Sequence, residues 1–313
     1  MAARRSSVLV VAAAVGLLVA AAAAVSAGSG GLSVYFHVES CPQLETIVRS
    51  NVDAAIRQNV RLTAGLLRVF FHDCFPQQEV LQLIEDIRGK VHAQCGATVS
   101  CADITVLATR DAVNLAGGPA FSVPLGRLDS LAPASRNDVS KLPPPTASVD
   151  QLLAAFKNAS LDDPADLVAL SGAHTVGKAH CNAFQGAGGG DDDDDMISKC
   201  VTETCSAASG SLRDLDFLTP TVFDNLYFVE LTLRKNKGVM LPSDQGLATD
   251  PRTSWLVQGF ADNHWWFFDQ FKTSMIKMSQ LRGPQGNVGE VRRNCFSRNS
   301  NAIPGAADLI ASA

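Results

Sequence analysis

Residues 67–76 read LRVFFHDCFP, and this stretch decides the fold more than any other part of the chain. Apolar side chains recur in and before it at helical spacing, which predicts a buried amphipathic helix; they are Leu62, Leu66, Leu67, Phe70 and Phe71. Arg68 and His72 lie four residues apart and therefore project from one face of that helix. Burial of a permanent cation and a titratable base on one helix face costs free energy unless a bound group lies between them. The alternative is structural, namely a core histidine bonded to a carbonyl and an arginine paired with an acid.

A second segment, residues 166–177, reads DLVALSGAHTVG and is helical up to Ser171, which places His174 just beyond a helix end. Further motifs follow along the chain: SCP (40–42), VSCADI (99–104), ATRDAV (108–113), PLGRLD (124–129), LPPP (142–145), LDFLTPTVFDN (215–225), PSDQGL (242–247) and NVGEVRRNCF (287–296). Together with LRVFFHDCF and LVALSGAHTVG, they resemble the secreted plant (class III) haem peroxidases. The resemblance is strong because so many motifs occur in order, whereas any single one would be weak evidence.

The first residues predict a secretory signal peptide, residues 1–27. Arg4 and Arg5 precede an apolar run from Val8 to Val25, and small residues follow. An uncleaved membrane anchor is the alternative, because the run is nearly long enough to cross a bilayer. Cleavage would leave one haem peroxidase domain, residues 28–313, with residues 301–313 as a tail, and would remove the membrane-binding segment. It would also make the net charge more negative than −5, so the chain has no electrostatic reason to bind nucleic acid.

Helical signals dominate the rest of the sequence and alternating strand patterns are nearly absent, so the expected fold is all-α. The expected helices include a stripe from Val80 to Val91, a helix opened by the capping box Ser148-x-x-Gln151, one starting at Asp163-Pro164, and the segments Cys101 to Leu115 and Phe223 to Lys237. Two more are expected between residues 251 and 281. The resemblance implies a haem held between the half that carries His72 and the half that carries His174.

The resemblance also assigns roles around the haem. It implies haem b as the cofactor, with His174 as the axial ligand of the iron and Asp244 accepting the other imidazole N–H. His72 would move the proton of hydrogen peroxide, and Arg68 would stabilise the charge that develops as the O–O bond breaks. Small phenolic donors would then lose single electrons near Pro143. The implied activity is that of a peroxidase, an oxidoreductase of the response to oxidative stress.

A calcium site is implied on the His174 side of the haem. Hard oxygen ligands suit Ca²⁺, and the matching residues are Thr175, Asp216, Thr219, Val222 and Asp224. Because Thr175 adjoins His174, such an ion would connect the axial ligand to the loop 216–224. The alternative for this loop is a helix cap with a turn.

The chain departs from the family after Gln78. The family continues after HDCFPQ with a Gly-Cys-Asp-x-Ser element, a loop and an Asn-rich turn, whereas Gln78 here runs straight into the next helix. Asp73 and the Pro76 carbonyl would remain from a second, distal calcium site, and the asparagine that orients His72 would be missing. A second function class therefore stays open, that of a catalytically impaired or non-enzymatic secreted relative.

Eight cysteines in a secreted chain indicate disulfides, although spacing alone does not fix their pairing. The resemblance implies Cys41–Cys95, Cys101–Cys295 and Cys181–Cys205, which leaves Cys74 and Cys200 over. Asn158-Ala159-Ser160 is an N-glycosylation sequon. We further expect a monomer located outside the cell or in the cell wall, with the vacuole as the alternative.

Overall fold

Helices make up most of the described chain. The computed structural model describes residues 31–72, 78–184, 211–233, 240–281 and 287–299. The helices within these ranges are α1 Leu44–Gln58, α2 Leu62–His72, α3 Gln78–Cys95, α4 Cys101–Leu115, α5 Arg136–Val139, α6 Val149–Asn158, α7 Pro164–Ser171, α8 Leu226–Leu233, α9 Pro242–Thr249, α10 Ser254–Asp262 and α11 His264–Ser279. One antiparallel ribbon, β1 Lys178–His180 with β2 Leu212–Asp214, accompanies them. The prediction of an all-α fold is confirmed.

Side-chain caps set the starts of α6 and α7. Ser148 accepts a hydrogen bond from the backbone of Gln151, and the Gln151 side chain accepts one from the backbone of Ser148, which is the predicted capping box. Asp163 caps α7 by accepting from the N–H of Ala165 at 2.9 Å. The helix that leads to His174 therefore has a start fixed by its own sequence.

The helix α8 begins later than its apolar pattern predicts. It starts at Leu226 and not at Phe223. The Asp224 carboxylate accepts the N–H of Leu226 at 2.9 Å and so satisfies one of the unpaired donors of the first turn. The three residues before Leu226 consequently belong to the preceding loop.

Two apolar cores divide the body of the protein, residues 32–313. The first joins α1 to α4 and includes the fully buried side chains of Leu66, Ile84, Ile87, Ile104 and Leu107. The second joins α6 to α11 and is rich in fully buried rings, among them Phe223, Tyr227, Phe228, Phe260, Phe267 and Phe271. Helix α2 borders both cores, with Leu66 in the first and Leu67 in the second, and the segment before His174 lies in the second.

The face of α2 that carries Arg68 is exposed, which corrects the prediction that it is buried. Leu66 and Leu67 pack in the cores, but Arg68 is exposed and Phe71 is 37% exposed. Apolar periodicity identifies the side of α2 that packs on α4 and gives no information about what covers the other side. The helices are in direct contact at Thr109 of α4, whose Oγ1 atom lies 3.1 Å from the Leu66 carbonyl and 2.8 Å from the Thr105 carbonyl of its own helix.

Residues 124–129 pair with a segment near the start of the described residues and with another near their end. Ser33 pairs with Leu125 near the N-terminal end, and Glu290 pairs with Asp129 near the C-terminal end. The Asp129 carboxylate also accepts the N–H groups of Cys101, Ala102 and Arg292. We refer to residues 124–129 as the closing loop.

The Lys277–Asp166 pair yields a stability prediction. Asp166 is fully buried on α7 and accepts from Lys277 Nζ and Ser274 Oγ of α11, at 2.8 Å and 2.7 Å. We expect Lys277→Met to lower the free energy of unfolding by about 1–3 kcal/mol, because a buried carboxylate loses its cationic donor. Chemical denaturation measures this loss.

The same pair predicts a pH dependence. The hydrogen bond to Asp166 raises the pKa of Lys277, so its stabilisation is complete below the ordinary lysine pKa and is lost as pH rises through the raised value. The wild type should therefore lose more stability at alkaline pH than Lys277→Met. Lys272→Met, which removes an exposed pair with Asp269, is the matched control and should change little. Equal effects of the two variants would contradict the assignment.

Candidate active site

A short 3₁₀ turn, Gly172–Thr175, follows α7 and carries His174. A Cβ atom on Gly172 would lie 2.6 Å from Phe267 and 2.8 Å from Phe228, whose rings are fully buried and leave no room. Glycine at this position thus allows the turn to pack directly on the second core. The position of His174 is set by this close approach as well as by the end of α7.

The His174 imidazole faces Asp244 of α9. Its Nδ1 atom lies 3.0 Å and 3.2 Å from the two carboxylate oxygens, although the residues are 70 positions apart. Asp244 is almost fully buried, whereas 37% of the His174 side chain is exposed. Within the part of the chain that the structure describes, no hydrogen bond engages Nε2. The pair therefore has the form of a metal-ligating histidine oriented by a carboxylate, with one nitrogen left to coordinate.

Three influences act on the protonation of His174. Burial favours the neutral imidazole, but the charge and hydrogen bond of Asp244 outweigh it, so the pKa of His174 is raised above its ordinary value. Arg68 opposes this with its own positive charge. The exposed Arg68 of α2 therefore acts electrostatically on His174.

Tyr227 is a neighbour of this pair that the sequence patterns did not single out. Its ring meets the His174 imidazole edge-on, with centroids 6.1 Å apart. Burial and the Asp244 carboxylate raise the pKa of its phenol well above the ordinary value. A signal was present in the sequence, since Tyr227 closely follows the 215–225 motif, but nothing in that motif indicates a contact with His174.

Five oxygen atoms gather beside the His174 turn. Thr175 Oγ1 lies 3.0 Å from Asp216 Oδ2, 3.3 Å from Asp224 Oδ1 and 3.4 Å from the Val222 carbonyl. Thr219 Oγ1 lies 3.1 Å from Asp224 Oδ1 and 3.5 Å from Asp216 Oδ2. The two hydroxyl protons cannot serve all these contacts, and burial with the neighbouring Asp224 raises the pKa of Asp216. Backbone N–H groups also donate to these carboxylates, from Leu226 to Asp224 and from Leu218 and Thr219 to Asp216, so the loop does contain a helix cap and a turn. The oxygens that face Thr175 still outnumber the hydroxyl protons between them, which fits a hard cation.

The structure describes the remaining predicted site residues only in part. Pro143 is half-buried, and its segment is attached to the start of α9 by a 2.9 Å hydrogen bond from the Ser243 N–H to the Pro145 carbonyl. His72 ends α2, but its side chain lies outside the described part of the structure. Asp73, Cys74 and Pro76 also lie outside the described residues, as does Cys200.

The structure has disulfides between Cys41 and Cys95 and between Cys101 and Cys295, two of the three pairs that the resemblance implies. Cys181 is also disulfide-bonded. Its expected partner, Cys205, lies outside the described residues.

Comparisons with known proteins agree with this geometry. The peroxidase family profile matches residues 76–263. The chain is 41% identical to the cationic peroxidase SPC4 of Sorghum bicolor, over 86% of this chain and 83% of that protein. It is 38% identical to peroxidase 12 of Arabidopsis thaliana, over 87% and 84%, and 38% identical to peroxidase 66 of Zea mays, over 88% and 92%.

This chain belongs to the peroxidase family. It is a haem peroxidase, and the alternative of a catalytically impaired or non-enzymatic relative is not favoured. The matched profile includes His174 and Asp244 but begins after Arg68 and His72. Membership implies hydrogen peroxide and an electron donor as substrates. Among the described residues of this peroxidase, no helix is long and apolar enough to span a membrane.

The residues present fit a haem. The Nε2 atom of His174 is not engaged by the described residues, and the carboxylate behind Nδ1 holds the imidazole in one orientation. A neutral imidazole oriented in this way is a standard axial ligand for haem iron. Arg68 of α2 supplies a permanent positive charge that acts on His174.

Proposed function

We propose that this peroxidase reduces hydrogen peroxide and oxidises small phenolic donors in one-electron steps, with His174 as the axial ligand of haem b. The observation that carries the proposal is the His174–Asp244 pair, in which one nitrogen is oriented by a carboxylate and the other is left to bind iron. Bound haem supplies the redox chemistry that protein side chains lack.

The test uses the refolded, haem-loaded protein. We expect a Soret band, a change in that band on mixing with hydrogen peroxide, and peroxide-dependent oxidation of guaiacol. A protein that binds haem but does not respond to peroxide would contradict the proposal.

The protein's own residues have the following roles in the reaction. Asp244 accepts the Nδ1 proton of His174, which increases the basicity of the coordinating nitrogen. On the opposite side, His72 accepts a proton from hydrogen peroxide and returns it to the departing oxygen. Arg68 stabilises the negative charge that develops during this transfer. The backbone near Pro143 forms the place where a phenol lies while it gives up its electron.

We propose that the distal side of this peroxidase is shortened after Gln78. What supports this proposal is that residues 73–77 run directly into α3, where the family resemblance implies an intervening element. Without the asparagine that orients His72, we expect a lower rate of reaction with peroxide than in an intact relative. Asp73 is then a remnant that cannot hold a second calcium ion by itself.

We also propose one calcium ion in the oxygen cluster of Thr175, Asp216, Thr219, Val222 and Asp224. Metal analysis of the purified protein should find one calcium per chain, and Asp216→Asn should lose it because a carboxylate ligand is replaced by a weaker neutral one. Asp214→Asn, which alters the nearby partly exposed partner of Lys178, is the control and should retain the ion. Two ions per chain would show that the shortened segment rebuilds a distal site. Retention of calcium by Asp216→Asn would refute the ligand assignment.

The proposal extends to maturation and location. Residues 1–27 are a leader that is removed, and residues 28–313 form a single secreted, monomeric domain, extracellular or in the cell wall. Asn158 is the proposed glycosylation site, and it is exposed at the end of α6, where an oligosaccharide can attach without displacing the core. Cys181–Cys205 is the proposed third disulfide.

A further inference from the structure

The three tryptophans of this chain are all exposed, and they lie on two successive helices. Trp255 is on α10, and Trp265 and Trp266 are in the first turn of α11. Tryptophan is highly buried on average, so exposure of every copy is unusual. The rings of Trp255 and Trp266 are in contact, with centroids 6.2 Å apart. None of these rings is part of the haem site described above.

A continuous series of ring contacts leads from Trp266 to the axial histidine. The centroid distances along it are 5.1 Å from Trp266 to Phe260, 5.3 Å from Phe260 to Phe228, 4.9 Å from Phe228 to Tyr227, and 6.1 Å from Tyr227 to His174. All four contacts are within the range of packed aromatic pairs. We call these five residues the ring series.

The ring series is rigid between its two ends. Phe260, Phe228 and Tyr227 are fully buried, so no bulk water separates neighbouring rings. At the outer end, the Trp266 indole lies against Gly259, where a Cβ atom would come within 2.8 Å of its Cε3 atom. Gly259 therefore provides the space that lets the indole reach Phe260. At the inner end, Tyr227 meets the imidazole that we propose as the iron ligand.

We propose that Trp266 is a second site of one-electron oxidation, which serves phenolic groups on donors too large to reach the haem edge. This inference rests on the proposed function, because the oxidant is the haem after its reaction with hydrogen peroxide. Trp266 gives one electron to that haem and its indole proton to water, and becomes a neutral radical. A phenolic donor at the surface then gives one electron and one proton to Trp266, which restores the indole and releases a phenoxyl radical.

The chemistry of the rings explains why Trp266 is oxidised while the phenylalanines only carry the electron. Tryptophan and tyrosine lose an electron far more easily than phenylalanine, so the charge can pass through Tyr227 and rest on Trp266 but not on Phe260 or Phe228. The phenylalanines shorten the gaps through which the electron tunnels, and tunnelling weakens steeply with distance. Among the described residues, the ring contacts of Trp265 lead to Phe228 through Phe268 and Phe267, which is one ring more than the route from Trp266.

The first test detects the radical without relying on turnover. The haem-loaded protein receives hydrogen peroxide and a nitroso spin trap in the absence of donor, and the trapped adduct is then located by peptide mass spectrometry. We expect the adduct on Trp266, its loss in Trp266→Phe, and its retention on Trp266 in Trp265→Phe. An adduct on Trp265 alone, or none on any tryptophan, would overturn the assignment.

The second test compares oxidation of a phenol that is free in solution with oxidation of the same phenol attached to a polymer. Oxidation of free guaiacol should be unchanged in Trp266→Phe, whereas oxidation of the same phenol coupled to a soluble polymer should fall to the donor-free background. Trp266→Tyr, which keeps an oxidisable ring, should restore oxidation of the polymer. Normal polymer oxidation by Trp266→Phe would refute the surface site. If the wild type itself shows no Soret band and does not oxidise guaiacol, the proposed function fails, whatever the Trp266 variants do.

Discussion

Replacement of His174 by alanine is expected to abolish stoichiometric haem binding in the refolded protein. His174 is proposed as the sole side-chain bond to the iron, and its turn is fixed against Phe228 and Phe267, so no neighbouring side chain can take its place without moving that core. The measurement is the ratio of Soret to protein absorbance after haem titration. Full haem content with unchanged ligand-field bands would contradict the assignment.

Two further variants separate ligation from general damage to the fold. His92→Ala removes a half-buried histidine of α3 that is bonded to the Val99 carbonyl, and it should bind haem as the wild type does. Asp244→Asn should keep the haem but raise the iron reduction potential, because a neutral amide no longer increases the basicity of the imidazole. A potential that stays constant would show that Asp244 does not act through His174.

The second large effect is expected on the reaction with hydrogen peroxide. General acid–base catalysis typically contributes about 10²–10⁴-fold, and His72→Leu should lower the second-order rate of the peroxide-induced spectral change by the lower end of that range, because no asparagine orients His72. Arg68→Leu should lower it by about 10²–10³-fold, the usual effect of removing one preorganised charge donor. Arg57→Leu, which removes an exposed arginine paired with Asp53, is the control and should react normally.

The same rate measurement tests the shortened distal side. A version with the family's segment inserted after Gln78 should react faster than the natural chain, because the inserted asparagine would hold His72 in one orientation. Equal rates would show that the segment does not support His72. If the Arg68 and His72 variants react as fast as the wild type, neither residue takes part in the mechanism. This conclusion would hold whatever the rate of the chain with the segment inserted after Gln78.

The parts of the fold that were predicted correctly depend on local sequence. The capping box of Ser148 and the cap of Asp163 each involve residues within three positions, so their patterns determine their geometry. The face of α2 was predicted less well. Periodicity located Leu66 and Leu67 in the cores, but it also assigned Arg68 and Phe71 to a buried face that the structure leaves exposed.

The candidate site depends on contacts between distant residues. Only the family resemblance could bring His174 to Asp244, since 70 positions separate them and no periodic pattern connects them. The contact of Tyr227 with His174 and the need for a glycine at position 172 both arise from packing in the second core. The ring series is also a property of packing, because its members come from three different helices and the His174 turn.

The closing loop has a consequence for the order in which the protein is made. Residues 290–295, which pair with Asp129 and form the bridge to Cys101, leave the ribosome only after every buried residue of the two cores. A nascent chain can build its first core earlier, as domains generally fold from the N-terminal side during synthesis. The bond that joins residues 290–295 to α4 must form afterwards, in an oxidising compartment. A transcript truncated before the codon for Cys295 would therefore yield a chain that oxidative folding cannot complete.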